Sequence, residues 1–253
     1  MKKWIPNILT LGNASCGFLA LFYIFHESDV ETACWLILIG ALFDVFDGLL
    51  ARLLKVAGPL GKQLDSLADA ISFGAAPAAI CWYLLNDAHT STAVPLWQNL
   101  VFPVFIVAMS VLRLGRFNID ERQVSGFYGL PTPANALFWL GAAMIHHNTE
   151  LPVYLVDWTN DRVVLMVFAF LFGVLLNLDL PLIGLKFQQW GWKGNQHRYI
   201  LIGSALAILI TSLLIYGNVF LVFPVVLLLY LIISIAHFFA NRKNSFWRPS
   251  TLI

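Results

Sequence analysis

Charge is scarce in this sequence. Asp, Glu, Lys and Arg make up 11% of its 253 residues, against about 25% in an ordinary soluble domain. That leaves too few polar side chains to cover a water-facing surface. The net charge is +1 with no basic tail, which argues against nucleic acid as a partner. Cysteine is limited to Cys16, Cys34 and Cys81, each inside an apolar run. Their odd number and lack of metal-ligand spacing point to buried thiols rather than a disulfide framework. No internal repeat or low-complexity tract is present. No Ala-x-Ala cleavage site follows Lys2 and Lys3, so the first apolar run reads as a retained helix.

Apolar residues are what the chain has in excess: 59% are hydrophobic, with 20 Phe and 9 Trp, and the mean hydropathy is +0.77. A disordered chain is excluded on the same ground. The expectation is an all-α, polytopic membrane bundle forming a single domain over residues 1–253. Apolar runs lie near Ile8–Phe25, Ala33–Leu54, Leu64–Leu85, Leu96–Leu114, Pro133–Ile145, Val163–Leu178, Tyr199–Tyr216 and Val219–Phe239, which predicts eight spans. With the N-terminus inside, 14 of the 15 Lys and Arg residues fall on the inner face and only Arg162 falls outside, as the positive-inside rule requires. Both termini are therefore expected in the cytoplasm. The outer connections carry no recognisable site, and His146-His147 reads as an exposed polar pair rather than a metal ligand set. Residues 199–240 form an almost purely aliphatic and aromatic C-terminal helix pair suited to lipid or a partner subunit.

Four acids break this pattern. Asp44, Asp47, Asp65 and Asp69 fall in the second and third runs. Each mid-helix carboxylate costs about 2.5–3.5 kcal/mol on insertion scales, so intramembrane acids are functional candidates by default. Asp44 and Asp47 stand three residues apart, with Gly48 and Ala51 continuing their face; Gly61, Asp65 and Asp69 follow one another in steps of four. Gly58-Pro59 between the two runs is turn chemistry, which predicts antiparallel neighbours whose acidic faces meet near the cytoplasmic end. Converging carboxylates need cations, and hard oxygen donors suit Mg2+ or Mn2+. Two divalent ions would balance the four charges and form a clamp for displacement at phosphorus. Gly48 and Ala51 leave room for a flat ligand against the helix. Structural polar contacts between the helices are the competing reading of the acids.

The sequence Asp44-x-x-Asp47-Gly48-x-x-Ala51-Arg52, followed after eight residues by Gly61-x-x-x-Asp65-x-x-x-Asp69, resembles the signature of the CDP-alcohol phosphatidyltransferase family at every position. The flanks Ile5–Asn13, Leu64–Pro77, Arg113–Asn118 and Phe127–Pro133 are similar to its bacterial and archaeal phosphatidylserine synthase branch, apart from Gly115, where that branch usually carries another small residue. The resemblance covers residues 5–136 and weakens to an echo at Leu180–Phe187. It implies transfer of a phosphatidyl group from CDP-diacylglycerol to L-serine in phospholipid biosynthesis, at a site on the cytoplasmic side of the cell membrane. Asp44, Asp47, Asp65 and Asp69 would hold two divalent ions, with Asp69 also the general base. Gly48, Ala51, Arg52 and Gly61 would receive the nucleotide and diphosphate. Homodimers are common in the family.

The remaining candidates rest on both readings. Pro6, Asn7 and Thr10 suit a helix start and equally a nucleotide contact. Arg113 and Arg116 share a face and can grip the carboxylate of serine by paired hydrogen bonds, with Asn118 assisting; headgroup anchoring is the alternative. The signature fixes phosphotransfer more firmly than the acceptor, so glycerol 3-phosphate or inositol stands as the rival acceptor. A divalent-cation transporter is a remote second class, because no charged residues continue the acids toward the outer half of the membrane.

Overall fold

The computed structural model describes residues 4–88, 96–119, 127–183, 191 and 195–241. Among them lie ten α-helices: α1 (Trp4–Phe22), α2 (Val30–Leu53), α3 (Pro59–Asp69), α4 (Ala76–Asp87), α5 (Leu96–Ile119), α6 (Thr132–His146), α7 (Val153–Asn160), α8 (Arg162–Asn177), α9 (Gln196–Tyr216) and α10 (Val222–Asn241). Local sequence accounts for their ends. Asp29 caps α2 by accepting from the Thr32 amide at 3.0 Å, and Gly58-Pro59 opens α3 with proline in its first turn. Asp161 accepts from the amides of Val163 and Val164, starting α8 at a bend of 72° from α7. Two wide π-type turns interrupt the ladder: Tyr23–Glu27 after α1, and Ala70–Ala75 between α3 and α4.

The bundle is a multi-pass membrane architecture. Six helical stretches among the described residues are long and apolar enough to cross a bilayer: Trp4–Glu27, Val30–Leu53, Pro59–Asp87, Trp97–Ile119, Gln196–Tyr216 and Val219–Phe238. The bent pair α7–α8 makes a seventh if it counts as one span. By length and composition that makes six or seven spans, beside the expected eight. Every apolar run does fold into helix, but α6 has 15 residues, about 22 Å at 1.5 Å per residue, against a hydrocarbon core of about 30 Å. Ten of those residues are buried, so protein rather than lipid shields α6, and it needs no full-length apolar surface.

Around α6 sits the main core. Phe138 meets Phe172 edge-on at 4.4 Å and packs against Trp139, Trp158 and Phe168. All three cysteines are free and buried. The expectation of pure helix needs one amendment: β1 (Phe127–Tyr128) pairs antiparallel with β2 (Pro181–Leu182). His146 is also corrected. It is no exposed loop residue: its side chain is 5% exposed, with Nε2 2.7 Å from Asp87 and Nδ1 3.3 Å from Thr159 Oγ1. Arg162, the one basic residue expected outside, is buried and donates to Asn99. The expected outer loop after Ile145 contains α7. Helices α9 and α10 pack on each other, and α10 also packs on α6; only Leu201 and Ser212 of α9 are buried. Lys2, Lys3, Arg122, Lys186, Lys193, Arg242, Lys243 and Arg248, assigned above to the inner face, lie outside the described residues, as do most of the loop after Asn86 and half of the echo at Leu180–Phe187.

Candidate active site

The acids come together through a third helix. Helix α1 packs extensively against both α2 and α3, and the acidic faces of those two meet beside it, as expected. The gap between them is a cavity of about 690 Å3. Helix α1 contributes Trp4, Pro6, Asn7 and Thr10 to its lining, and α2 contributes Asp44, Asp47, Gly48, Ala51 and Arg52. The connecting loop adds Lys55, and α3 adds Gly61, Lys62 and Asp65. Ten of the fourteen residues expected at the site therefore line one cavity.

Carboxylate oxygens of Asp44, Asp47 and Asp65 lie within 4.8 Å of one another. Two unit charges at that distance repel by about 3 kcal/mol at an effective dielectric of about 20, so the triad calls for a counter-ion. Oxygens sharing one Mg2+ or Mn2+ stand about 3–4 Å apart, given bond lengths near 2.1 Å. The chemistry and spacing of the donor set fit a divalent cation.

The fourth acid is placed differently. Asp69 is not in the triad; it is buried and accepts a hydrogen bond from Asn13 Nδ2 at 3.1 Å. It is the last residue of α3, immediately ahead of the wide turn over Ala70–Ala75. Asp47 accepts from Thr10 Oγ1 at 2.5 Å. Thr10, expected at a helix start, is thus committed to an acid, and α1 already includes Trp4 ahead of Pro6.

The nucleotide candidates form the open part of the cavity. A Cβ on Gly48 would meet only Arg52 Nη2, at 3.8 Å, and one on Gly61 only Asn7 Oδ1, at 3.6 Å. Both walls therefore leave space. Arg52 folds back to donate from Nε to the Gly48 carbonyl at 2.9 Å, and with Lys55 and Lys62 it makes the mouth cationic.

The acceptor candidates do not line this cavity. Arg113 is buried and donates to the Gly129 carbonyl at 3.5 Å. Arg116 donates to the Asn177 carbonyl at 2.9 Å and pairs with Asp179 at 3.6 Å. Arg113 thus joins α5 to the segment after β1, and Arg116 joins α5 to the end of α8, links that sequence spacing within one helix has no means of revealing. Asn118 does reach the site's edge: its amide donates to Ser66 Oγ at 2.8 Å, and its carbonyl accepts from Lys62 Nζ at 2.7 Å. Sequence reasoning missed Asn13, Lys55, Lys62 and Ser66. Asn13 had a signal, a polar amide one turn after Thr10 inside an apolar run.

Comparison with known proteins identifies the family. The profile of the CDP-alcohol phosphatidyltransferase family matches residues 3–180. The chain is 32% identical to the CDP-diacylglycerol–serine O-phosphatidyltransferase of Bacillus subtilis (strain 168) over 131 residues, 52% of this chain and 70% of that one. It is 26% identical to the enzyme of the same name from Helicobacter pylori (strain ATCC 700392 / 26695) over 236 residues, 91% and 93% of the two chains. With the archaetidylserine synthase of Methanothermobacter thermautotrophicus it shares 36% identity over 136 residues, 53% of this chain and 54% of that one. With three of its four acids gathered at one cavity inside the matched region, the chain belongs to the CDP-alcohol phosphatidyltransferase family.

Proposed function

We propose that this protein transfers the phosphatidyl group of CDP-diacylglycerol to the hydroxyl of L-serine, releasing CMP. The observation that carries the reading is the cavity in which three clustered carboxylates stand beneath a cationic mouth, within the part of the chain that the family profile matches. The names of the relatives support serine as acceptor.

In this reading Asp44, Asp47 and Asp65 hold two divalent ions, Mg2+ or Mn2+, with Asp69 completing the set. The ions supply charge neutralisation of the diphosphate and stabilisation of the departing CMP. Gly48, Ala51 and Gly61 admit the nucleotide against α2 and α3, beside Pro6, Asn7 and Thr10, while Arg52 faces a phosphate. Asp69 takes the proton from the serine hydroxyl as that oxygen bonds to phosphorus, because an alcohol is a poor nucleophile until its proton has somewhere to go. The bond from the same phosphorus to the CMP oxygen breaks, and CMP leaves with the electron pair. Arg113 and Arg116 hold the serine carboxylate, with Asn118 at the border of the two regions; their backbone contacts then set the guanidinium positions. The site faces the cytoplasm, with both termini on that side, and the apolar C-terminal helices suit a homodimer.

An acceptor panel tests the proposal. Purified protein with radiolabelled CDP-diacylglycerol and Mn2+ or Mg2+ should release CMP with L-serine, and not with glycerol 3-phosphate or inositol. Release with either of the latter alone would move the protein to another branch of the family. Cation flux into vesicles without any CMP release would favour transport.

A further inference from the structure

Two of the four acids receive their hydrogen bonds from one helix. Thr10 and Asn13 lie one turn apart on the same face of α1, and both are buried. A helical threonine ordinarily donates to the carbonyl four residues back, and Thr10 has that contact with Pro6 at 3.1 Å. Its contact with Asp47 is shorter, 2.5 Å, in the range of a hydroxyl donating to a carboxylate. A hydroxyl has one proton, and the carboxylate is the stronger acceptor. Asn13 presents its Nδ2 to Asp69, while its Oδ1 has no hydrogen-bond partner among the described residues. A buried amide with an unmade bond costs stability, so packing alone does not explain an asparagine here. Helix α2 also makes room for it: a Cβ on Gly40 would stand 2.9 Å from Asn13 Oδ1.

We infer that α1 is the orienting element of the active site, with Thr10 fixing the carboxylate of Asp47 for metal binding and Asn13 fixing that of Asp69 for proton transfer. Both are positioning residues. The inference rests on the function proposed above and assigns Thr10 a task beyond the nucleotide contact. The two bonds have separable consequences. Asp47 belongs to the clustered triad, so loss of its donor acts on metal affinity. Asp69 lies outside that triad, so loss of its donor acts on turnover. Partners that hold a ligating or reacting group in place typically change affinity or activity about 10–100-fold when removed.

The test uses the full-length protein in nanodiscs, with Mn2+ binding read by electron paramagnetic resonance and CMP release measured against serine concentration. Thr10→Val should weaken Mn2+ binding about 10–100-fold, and Thr10→Ser, which keeps the donor, should restore it. Asn13→Ala should lower kcat by about 10–100-fold with the serine KM and Mn2+ affinity near wild type. Gly40→Ala, which crowds Asn13 without touching Asp69, should lower kcat in the same direction and serves as the variant if Asn13→Ala does not fold. Wild-type Mn2+ affinity in Thr10→Val, failure of Thr10→Ser to restore it, or wild-type kcat in Asn13→Ala or Gly40→Ala would overturn the inference. Absence of serine-dependent CMP release from the wild-type protein would instead sink the proposed function, and the Mn2+ titrations would still decide the role of Thr10.

Discussion

Gly17 on α1 meets the backbone of Ser72 in the wide turn after Asp69: a Cβ added to Gly17 would stand 2.6 Å from the Ser72 Cα. Such a distance cannot be accommodated without moving one of the two helices. Gly17→Ala should therefore destabilise the protein by about 1–3 kcal/mol, the usual cost of overpacking, seen as a lower thermal midpoint in detergent. An unchanged midpoint would mean that α1 and the turn are free to separate.

Asp69 and the triad should separate experimentally. Asp69→Asn keeps shape and a hydrogen-bonding group but cannot take a proton, and loss of a general base costs about 10²–10⁴-fold in rate. We expect that loss in CMP release with Mn2+ binding largely retained, whereas Asp44→Asn, Asp47→Asn and Asp65→Asn should weaken Mn2+ binding itself. Isothermal titration with Mn2+ beside a CMP assay distinguishes the classes. Equal metal loss in all four variants would place Asp69 among the principal ligands.

Arg113 and Arg116 should also differ. Arg116 is partly exposed, and its pair with Asp179 is of the kind worth about 0–1 kcal/mol. Arg113 is buried, and hydrogen bonds to charged groups contribute about 1.5–3 kcal/mol. Arg113→Ala should raise the serine KM by at least about tenfold. Arg113→Ala with an ordinary serine KM and a lowered thermal midpoint would reduce the residue to a brace for the Gly129 backbone.

The far end of the bundle should respond to pH. Burial, with help from the neighbouring His146, holds the His147 imidazole below its ordinary value, against the opposing pull of Asp87, Glu31 and Asp29. The folded state thus disfavours protonated His147. As pH falls below the unfolded value of about 6.5 the unfolded chain takes up the proton first, and stability is lost until the lower folded value is passed. His147→Gln should flatten this part of the profile in melts at pH 7.5 and 5.5. Parallel profiles would show that the imidazole does not contribute.

Much of this was legible in the residues, and the exceptions have physical causes. Helix placement follows from apolar runs, since lipid-facing helices leave no other option. The spacing of Asp44, Asp47 and Asp65 reveals a shared site because side chains on one helical face must travel together. Periodicity within a helix says nothing about what lies between helices, however. The seat of α1 against α2 and α3, the short central α6 and the attachment of Arg116 to Asn177 are all consequences of packing. Asp69 illustrates the limit most sharply. Four-residue spacing puts it on the face of Asp65, and both lie in α3; the π-type turn that follows arises from Ala-Ile-Ser-Phe-Gly-Ala, residues that carry no distinctive local signal.

That turn has a mechanical consequence. It inserts a phase shift between a reactive upper segment, where the acids sit, and a lower segment whose side chains are nearly all enclosed. Each residue of an α-helix turns the chain by about 100°, so removing a single residue from 70–75 would swing Asp65 and Asp69 through most of a quadrant or more while Ala76–Leu85 kept its seat. The aim of the chemistry and the fit of the scaffold are thereby set independently along one continuous rod.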